Sequence, residues 1–503
     1  MLQVASFLIL VVAPWFVIRA VLCPAFVRAF FRISLRLAGA LLAYELFVVN
    51  VALVAPGFLP ALAVTSLCVV AAERWRARES FGQSRGLPPG SVSPLDLRVL
   101  FHQSYAMEEW RRHGPVFKGC FILKPVVYVV GLERGIRLLE EHGKAGRIRP
   151  PDFQFGRAIP GGFIRSMDSE KRAKYRDVIK ASLSPAVVQH HETSMRQVFH
   201  EVLLRAAEDS AMEPACGIRL RPYINRMVFA AWSGLFWGLP PDSPEIAWLK
   251  ARYRILDIRN PCVSSPKKIQ RTMDEVQAWV ISRIHALRQM ASRNEIVPDS
   301  FLSRLITARP DVVEDPTVVG NLIYIMHTSW SDVTGFLQWL AKILGENPSW
   351  LEKLREPDQP ADLPSRMIQE VFRLEQSEFI ARVAHEEFTF EGFTIPKGWL
   401  VRICVRESHR DPAVYASPET FNPDRFIGIT PSPDRYLPFG YGDHACLGVA
   451  VTMAAGRAFL CELAHGFSWK ITKDGPPEFS SWRHWRPNSS FRVSIEALKN
   501  KQH

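Results

Sequence analysis

Residues Arg435–Ala450, RYLPFGYGDHACLGVA, constrain this chain more than any other stretch. Phe439, Gly442, Cys446 and Gly448 give the pattern F-x-x-G-x-x-x-C-x-G. With 31 Phe, 29 Gly and 8 Cys in 503 residues, chance supplies about 0.002 such matches. The spacing describes a thiolate on a tight loop. Glycines at 442 and 448 let the backbone turn sharply and approach a flat group closely. Backbone N–H groups of the loop, and of a helix starting near Val449, stabilise negative charge on the sulfur. Phe439 packs beside the ligand and limits water. The plainer alternative is a buried cysteine serving as a small apolar side chain.

The other cysteines, 23, 68, 120, 216, 262, 404 and 461, are dispersed. None forms C-x-x-C and none has zinc-finger spacing with histidine, so reduced thiols are expected. A chain 48% hydrophobic and 22% charged can bury a large core, which excludes disordered, collagen-like and disulfide-scaffold readings. The apolar residues are unevenly placed. Met1–Ile18, Leu37–Val54 and Phe58–Ala72 are apolar runs near the lower length for crossing a bilayer. Arg28, Arg32 and Arg36 follow the first run, and Arg74, Arg76, Arg78 and Arg85 follow the third. Three passes place both basic stretches on one side, as the positive-inside rule asks. One anchor plus a buried or interfacial hairpin is the alternative, so residues 1–85 read as an anchor of one to three transmembrane helices. A secretory signal fits poorly, because no basic segment precedes the first run. Residues 86–94, opening on Gly86-Leu87-Pro88-Pro89-Gly90, read as a stiff hinge, and 95–503 as one large domain.

Within that domain the pattern is mainly helical with small sheets, an α+β class. Met195, Val198, Phe199, Val202 and Leu203 recur at helical spacing. Asp315-Pro316 is a helix start, no proline follows before Leu344, and Gly345 is a C-cap candidate, giving a helix about 43 Å long. Strand-like stretches are Val126–Val130, Phe388–Ile395 and Leu400–Val405.

Phe439–Gly448 resembles the haem-ligand loop of the cytochrome P-450 monooxygenases, and other signatures stand in that family's order. Glu370-Val371-Phe372-Arg373 resembles its ExxR helix, and Pro423-Asp424-Arg425-Phe426 its PxRF segment. The resemblance covers Pro88 to the C-terminus and is strongest over Gly320–Leu463. It implies haem b bound through the Cys446 thiolate, which is the metal ligand. Glu370, Arg373 and Arg425 are then a buried structural network beneath the haem loop. For the propionates it implies Arg176, Arg382 and His444, with Arg172 where the family often has Trp or His; the alternative for Arg172 is a solvated basic face.

In the long helix, the family's oxygen-activating segment corresponds to Tyr324-Ile325-Met326-His327-Thr328-Ser329. Thr328 fits the family's threonine. Tyr324 and Ile325 replace small residues and His327 replaces the acid, so His327 is the candidate proton source. A competing register uses Asp332 and Thr334, which are not adjacent. Thr328 could also be a mid-helix threonine bonding its own backbone. Candidate substrate-wall positions are Phe153–Phe163, Tyr324, Met326, Trp330, Glu378–Ile380 and Trp482–Trp485.

The resemblance implies oxygen insertion from O2 into a lipophilic small molecule, such as a terpenoid or other secondary metabolite, with a fatty acid or a sterol as alternatives. No flavin or nicotinamide fingerprint is present, so electrons are expected from a separate NADPH-cytochrome P-450 reductase. A membrane location follows, the endoplasmic reticulum with a cytosolic haem domain if the source is eukaryotic. The net charge is +12, of which four arginines against Glu45 give +3 in residues 1–72. The excess is assigned to haem propionates, anionic membrane lipid and an acidic redox partner rather than nucleic acid. An O2-independent haem-thiolate isomerase or dehydratase, and a non-enzymatic membrane haem protein, are the other classes.

Overall fold

One long helix organises the domain. In the computed structural model, Pro316–Glu346 is a continuous α-helix of 31 residues. The Asp315 carboxylate accepts the Thr317 N–H at 2.7 Å and proline occupies the first turn, where its missing N–H costs nothing. Nearly every side chain from Thr317 to Leu344 is buried, so the helix runs through the core rather than along its surface. It ends two residues beyond the expected stop. Gly345 lies inside the helix, where a Cβ would approach Ile471 to 2.9 Å, and Asn347 is the C-cap. The glycine is needed for close packing against a strand, not for capping.

The structure describes residues 86–498, apart from 94–95, 97, 122–123, 152–153, 184, 257–264, 377–378 and 482–483. Leu87–Leu256 and Ile269–His503 form one compact unit, and the remainder of the chain lies almost wholly outside the described residues. So does the expected membrane anchor over residues 1–85. Among the described residues no helix is long and apolar enough to cross a membrane.

Helices named below are α1 (Ser169–Lys180), α2 (Pro185–Met212), α3 (Arg221–Trp237), α4 (Glu245–Ile255), α5 (Pro316–Glu346), α6 (Leu363–Val371) and α7 (Val449–Gly466). The periodic positions of α2, Met195 to Leu203, are buried, and Phe199 meets Phe459 of α7 edge-on at 6.4 Å. Deleting such a phenylalanine costs about 3–5 kcal/mol.

Strands β1 (Val116–Phe121), β2 (Lys124–Val129), β3 (Ile148–Arg149), β4 (Ile380–Ala384) and β7 (Leu400–Ile403) form a five-stranded sheet in the order β1-β2-β7-β4-β3. Its β2–β7 pair is parallel and the others antiparallel. Phe388–Ile395, one strand-like run in the sequence, is a hairpin of β5 (Phe388–Phe390) and β6 (Phe393–Ile395). Glu391 and Gly392 have φ of 49° and 80°, the left-handed pair of a two-residue hairpin turn. The other two-stranded sheets pair β8 (Phe467–Lys473) with β11 (Arg492–Ala497) and β9 (Glu478–Ser481) with β10 (His484–Arg486). The expected hinge is partly docked: Gly90 bridges Lys118 of β1, whose N–H donates to the Pro89 carbonyl at 2.7 Å.

Candidate active site

The Cys446 loop is built before any side-chain chemistry enters. Gly440 and Gly442 have φ of 76° and 59°, left-handed conformations that favour glycine. The Cys446 N–H donates to the Phe439 carbonyl at 2.7 Å and Ala445 N–H to Gly442 O at 2.9 Å, closing the loop. Gly448 differs from expectation. Its φ is −91°, at the N-cap of α7, and it contributes a backbone N–H that donates to Cys446 Sγ at 3.3 Å. The turn thus rests on Gly440 and Gly442, and the sulfur's charge partner on Gly448. Burial raises the Cys446 thiol pKa, while the Gly448 N–H opposes that rise. The cysteine is nonetheless accessible, because its surface faces a cavity rather than packed core.

Beneath the loop lies the ionic network expected from the sequence. Glu370 and Arg373 are fully buried, and Arg373 Nε and Nη2 donate to the Glu370 carboxylate at 2.7 and 2.8 Å. Arg425 Nε adds a third bond at 3.2 Å and the Asn422 N–H a fourth at 2.9 Å. Arg373 also donates to the carbonyls of His409 and Thr420. Sequence reasoning missed the joint from this network to the loop: buried His409 accepts the Leu437 N–H on Nε2 at 3.0 Å. Beside it, the Tyr436 hydroxyl donates to Gln369 O of α6 at 2.9 Å. Only the histidine type, not its position in a pattern, hinted at that role.

Above the loop is a cavity of about 390 Å³. Its walls include Phe163, Tyr324, Ile325, Phe379, Ile380 and Phe439. Phe439 packs edge-on against Phe372 at 4.9 Å, and Phe163 against Tyr324 at 4.3 Å. Met326 and Trp330, also expected here, turn into the core, where Met326 Sδ accepts the Trp237 indole N–H and Trp330 donates to Asn225 O. Of the remaining wall positions, the backbones at 153, 378, 482 and 483 lie outside the described residues.

Four guanidinium groups converge on the cavity from three elements: Arg165 from the loop before α1, Arg172 and Arg176 from α1, and Arg382 from β4. Arg176 donates to Ala445 O at 3.0 Å, tying α1 to the cysteine loop. Arg172 donates to Met167 O at 3.0 Å and lies 3.5 Å from Asp443. Arg382 is 4% exposed and donates to its neighbour's carbonyl. Burial, then Arg165 and Arg172, push its pKa down to about 9. His444 also lines the cavity, its pKa driven down to about 3 by burial and then by Arg382, Arg172, Arg165 and Arg176. So much uncompensated positive charge beside an accessible cysteine is what a flat dianionic metal cofactor would neutralise.

A comparison with known proteins now applies. The cytochrome P450 family profile matches residues 362–494. Abscisic acid 8'-hydroxylase 1 of Arabidopsis thaliana is 26% identical over 223 residues, 41% of this chain and 46% of that protein. The chain thus spans about half the length of that relative. Cytochrome P450 87A3 of rice is 25% identical over 450 residues, 80% of this chain and 85% of the relative. The cyanobacterial CYP120A1 structure with retinoic acid bound superposes with TM-score 0.66 at 21% identity, covering 82% of this chain and all of that one. The chain belongs to the cytochrome P450 superfamily.

For a P450 chain the cavity residues fit haem: Cys446 could serve as thiolate ligand, and Arg176, Arg382, Arg172 and His444 line the same cavity as candidate donors to two propionates. The oxygen-activating segment departs from the sequence reading. Helix α5 stays α-helical across Thr328, which lines the cavity while its hydroxyl donates to Tyr324 O and Ile325 O, both at 3.1 Å. His327 is corrected. It is not among the cavity-lining residues; its ring is 1% exposed, parallel to Tyr253 of α4 at 5.9 Å. The acid on the cavity side is Asp332, one turn after Thr328, with His484 Nε2 at 3.6 Å. Helical spacing puts i and i+4 on one face, which adjacency in the sequence concealed. Thr334 of that register is buried and bonds Trp330 O.

Proposed function

We propose that this chain is a haem-thiolate monooxygenase that inserts one atom of O2 into a lipophilic small molecule. Cys446 carries the reading: a cysteine on a glycine-built loop, open to a cavity, with the Gly448 N–H at 3.3 Å and uncompensated guanidinium groups opposite. Haem held there by the Cys446 thiolate would supply the oxidising chemistry. The protein's residues do the rest. The Gly448 N–H holds negative charge on Sγ, and Arg176 and Arg382 answer the propionates. Phe439, Phe163 and Tyr324 keep the cavity dry. Thr328 Oγ1 holds a proton at the cavity wall, and Asp332 with His484 supplies one from a turn away. Electrons come from a separate NADPH-dependent flavoprotein. Residues 1–85 anchor the domain to a membrane, which favours delivery of an apolar substrate, and secondary metabolism such as terpenoid oxidation is the setting.

One observation favours a second reading. The Thr328 hydroxyl is spent on its own helix and His327 faces away, as suits an O2-independent isomerase or dehydratase. Metabolite comparison with reductase, with and without the protein, separates the two. The expected result is a product that needs both NADPH and O2 and disappears in Asp332→Asn or Thr328→Ala far more than in Cys461→Ser. Product formed without O2 selects the isomerase. Cys446→Ser is expected to abolish the thiolate-type band of the reduced carbonyl complex, and a retained band would overturn the ligand assignment.

A further inference from the structure

Four guanidinium groups meet at the cavity, and haem would bring two propionates to them. Asp443 faces Arg172 at 3.5 Å, and Asp332 faces His484 at 3.6 Å. On the monooxygenase reading Arg176 and Arg382 answer the two propionates, Arg172 being drawn to Asp443. Arg165 remains, half-buried at the cavity wall and close enough to Arg382 for its charge to be felt there. It comes from the loop before α1, not from α1 or β4, which carry the propionate donors.

The loop carrying Arg165 is held in place. Asn321 of α5 is fully buried, and two of its three side-chain hydrogen bonds serve that purpose. Its Oδ1 accepts the Ile164 N–H at 2.9 Å, and its Nδ2 donates to Gly162 O at 3.2 Å and to Thr317 O at 2.8 Å. Phe163 is 3% exposed and packs edge-on against Tyr324. The backbone therefore reaches Arg165 from a fixed point on α5, one residue past a clamped amide. Anchoring the backbone removes part of the ordering cost when an anion binds, leaving the side chain's own rotamers to be ordered. The same cavity also carries apolar wall, Phe163, Ile164, Tyr324 and Ile380, beside its charged residues.

We infer that Arg165 is the carboxylate-binding residue for the substrate, and that the substrate is a lipophilic carboxylic acid held by its charged end at the loop before α1. This rests on the monooxygenase reading, which makes the cavity the substrate site. A charge-assisted hydrogen bond in a dry site separates an acid from its ester by roughly 10- to 100-fold in affinity.

The test is equilibrium dialysis of the haem-loaded full chain against long-chain and cyclic isoprenoid carboxylic acids, each paired with its methyl ester. The expected result is at least one acid bound roughly 10-fold or more tighter than its ester. Arg165→Gln should remove that preference by weakening the acid alone, and Arg165→Lys should restore part of it. Haem content and the reduced carbonyl spectrum are read on every variant. Equal binding of acids and esters, or no binding of any acid, overturns the inference while normal spectra leave the monooxygenase reading standing. Loss of haem in Arg165→Gln also overturns it, by assigning Arg165 to the propionates. A wild-type chain without the thiolate-type band is the separate failure of the underlying reading.

Discussion

Replacing Glu370 by glutamine removes one charge and almost no volume, so its effect isolates the buried network. The carboxylate, fully buried, accepts four hydrogen bonds: two from Arg373, one from Arg425 and one from the Asn422 N–H. An amide presents one acceptor and one donor. Turned either way, its NH2 faces a donor, and the Arg373 guanidinium keeps its charge with no anion beside it. Stranding a buried charge of this kind costs about 3–5 kcal/mol. That is a fifth or more of the stability of an ordinary domain, about 5–15 kcal/mol. Because His409 relays the network to the Leu437 N–H, the cysteine loop should loosen as well. Denaturant unfolding followed by tryptophan fluorescence, with haem content measured in parallel, should show both losses. Glu370→Leu combined with Arg373→Met removes both charges and should be more stable than Glu370→Gln alone. A Glu370→Gln protein within about 1 kcal/mol of wild type, with full haem content, would refute the argument.

Two further outcomes follow from the same geometry. His409 accepts the Leu437 N–H and so is held neutral, with burial, then Arg373 and Arg410, pushing its pKa down to about 3. Below its ordinary value of about 6.5 the unfolded chain takes up a proton that the fold refuses, so stability is full above that pH and falls as pH drops. The loss is about 1.4 kcal/mol per pH unit, or roughly 2 kcal/mol at pH 5, and His409→Asn should flatten the slope by one proton; an unchanged slope would count against it. Asn321→Leu strands the buried Ile164 N–H, a cost of about 1–3 kcal/mol, and exchange of that amide should quicken by roughly 10-fold or more. Unaltered exchange at Ile164 would show that the loop is held by Phe163 packing instead.

The sequence by itself determined whatever depends on residues close together in the chain. The cysteine loop needs left-handed glycines and a helix N-terminus within a few positions, and it shows them within Phe439–Val449. Glu370 and Arg373 are one helical turn apart, and Asp315-Pro316 announces the start of α5. Facing is another matter. His327 and Thr328 are neighbours, yet successive helical residues point about 100° apart, so one meets Tyr253 and the other the cavity. Asp332, four positions on, shares the face of Thr328. The grip of Asn321 on Ile164 joins positions 157 apart, and His409 reaches Leu437 across 28. Such pairs leave no periodic trace, because a single hydrogen bond between distant segments imposes no repeating pattern on either. The length and amphipathic pattern of the helices were local properties; which guanidinium was left over at the cavity was decided only when three separate elements closed around it.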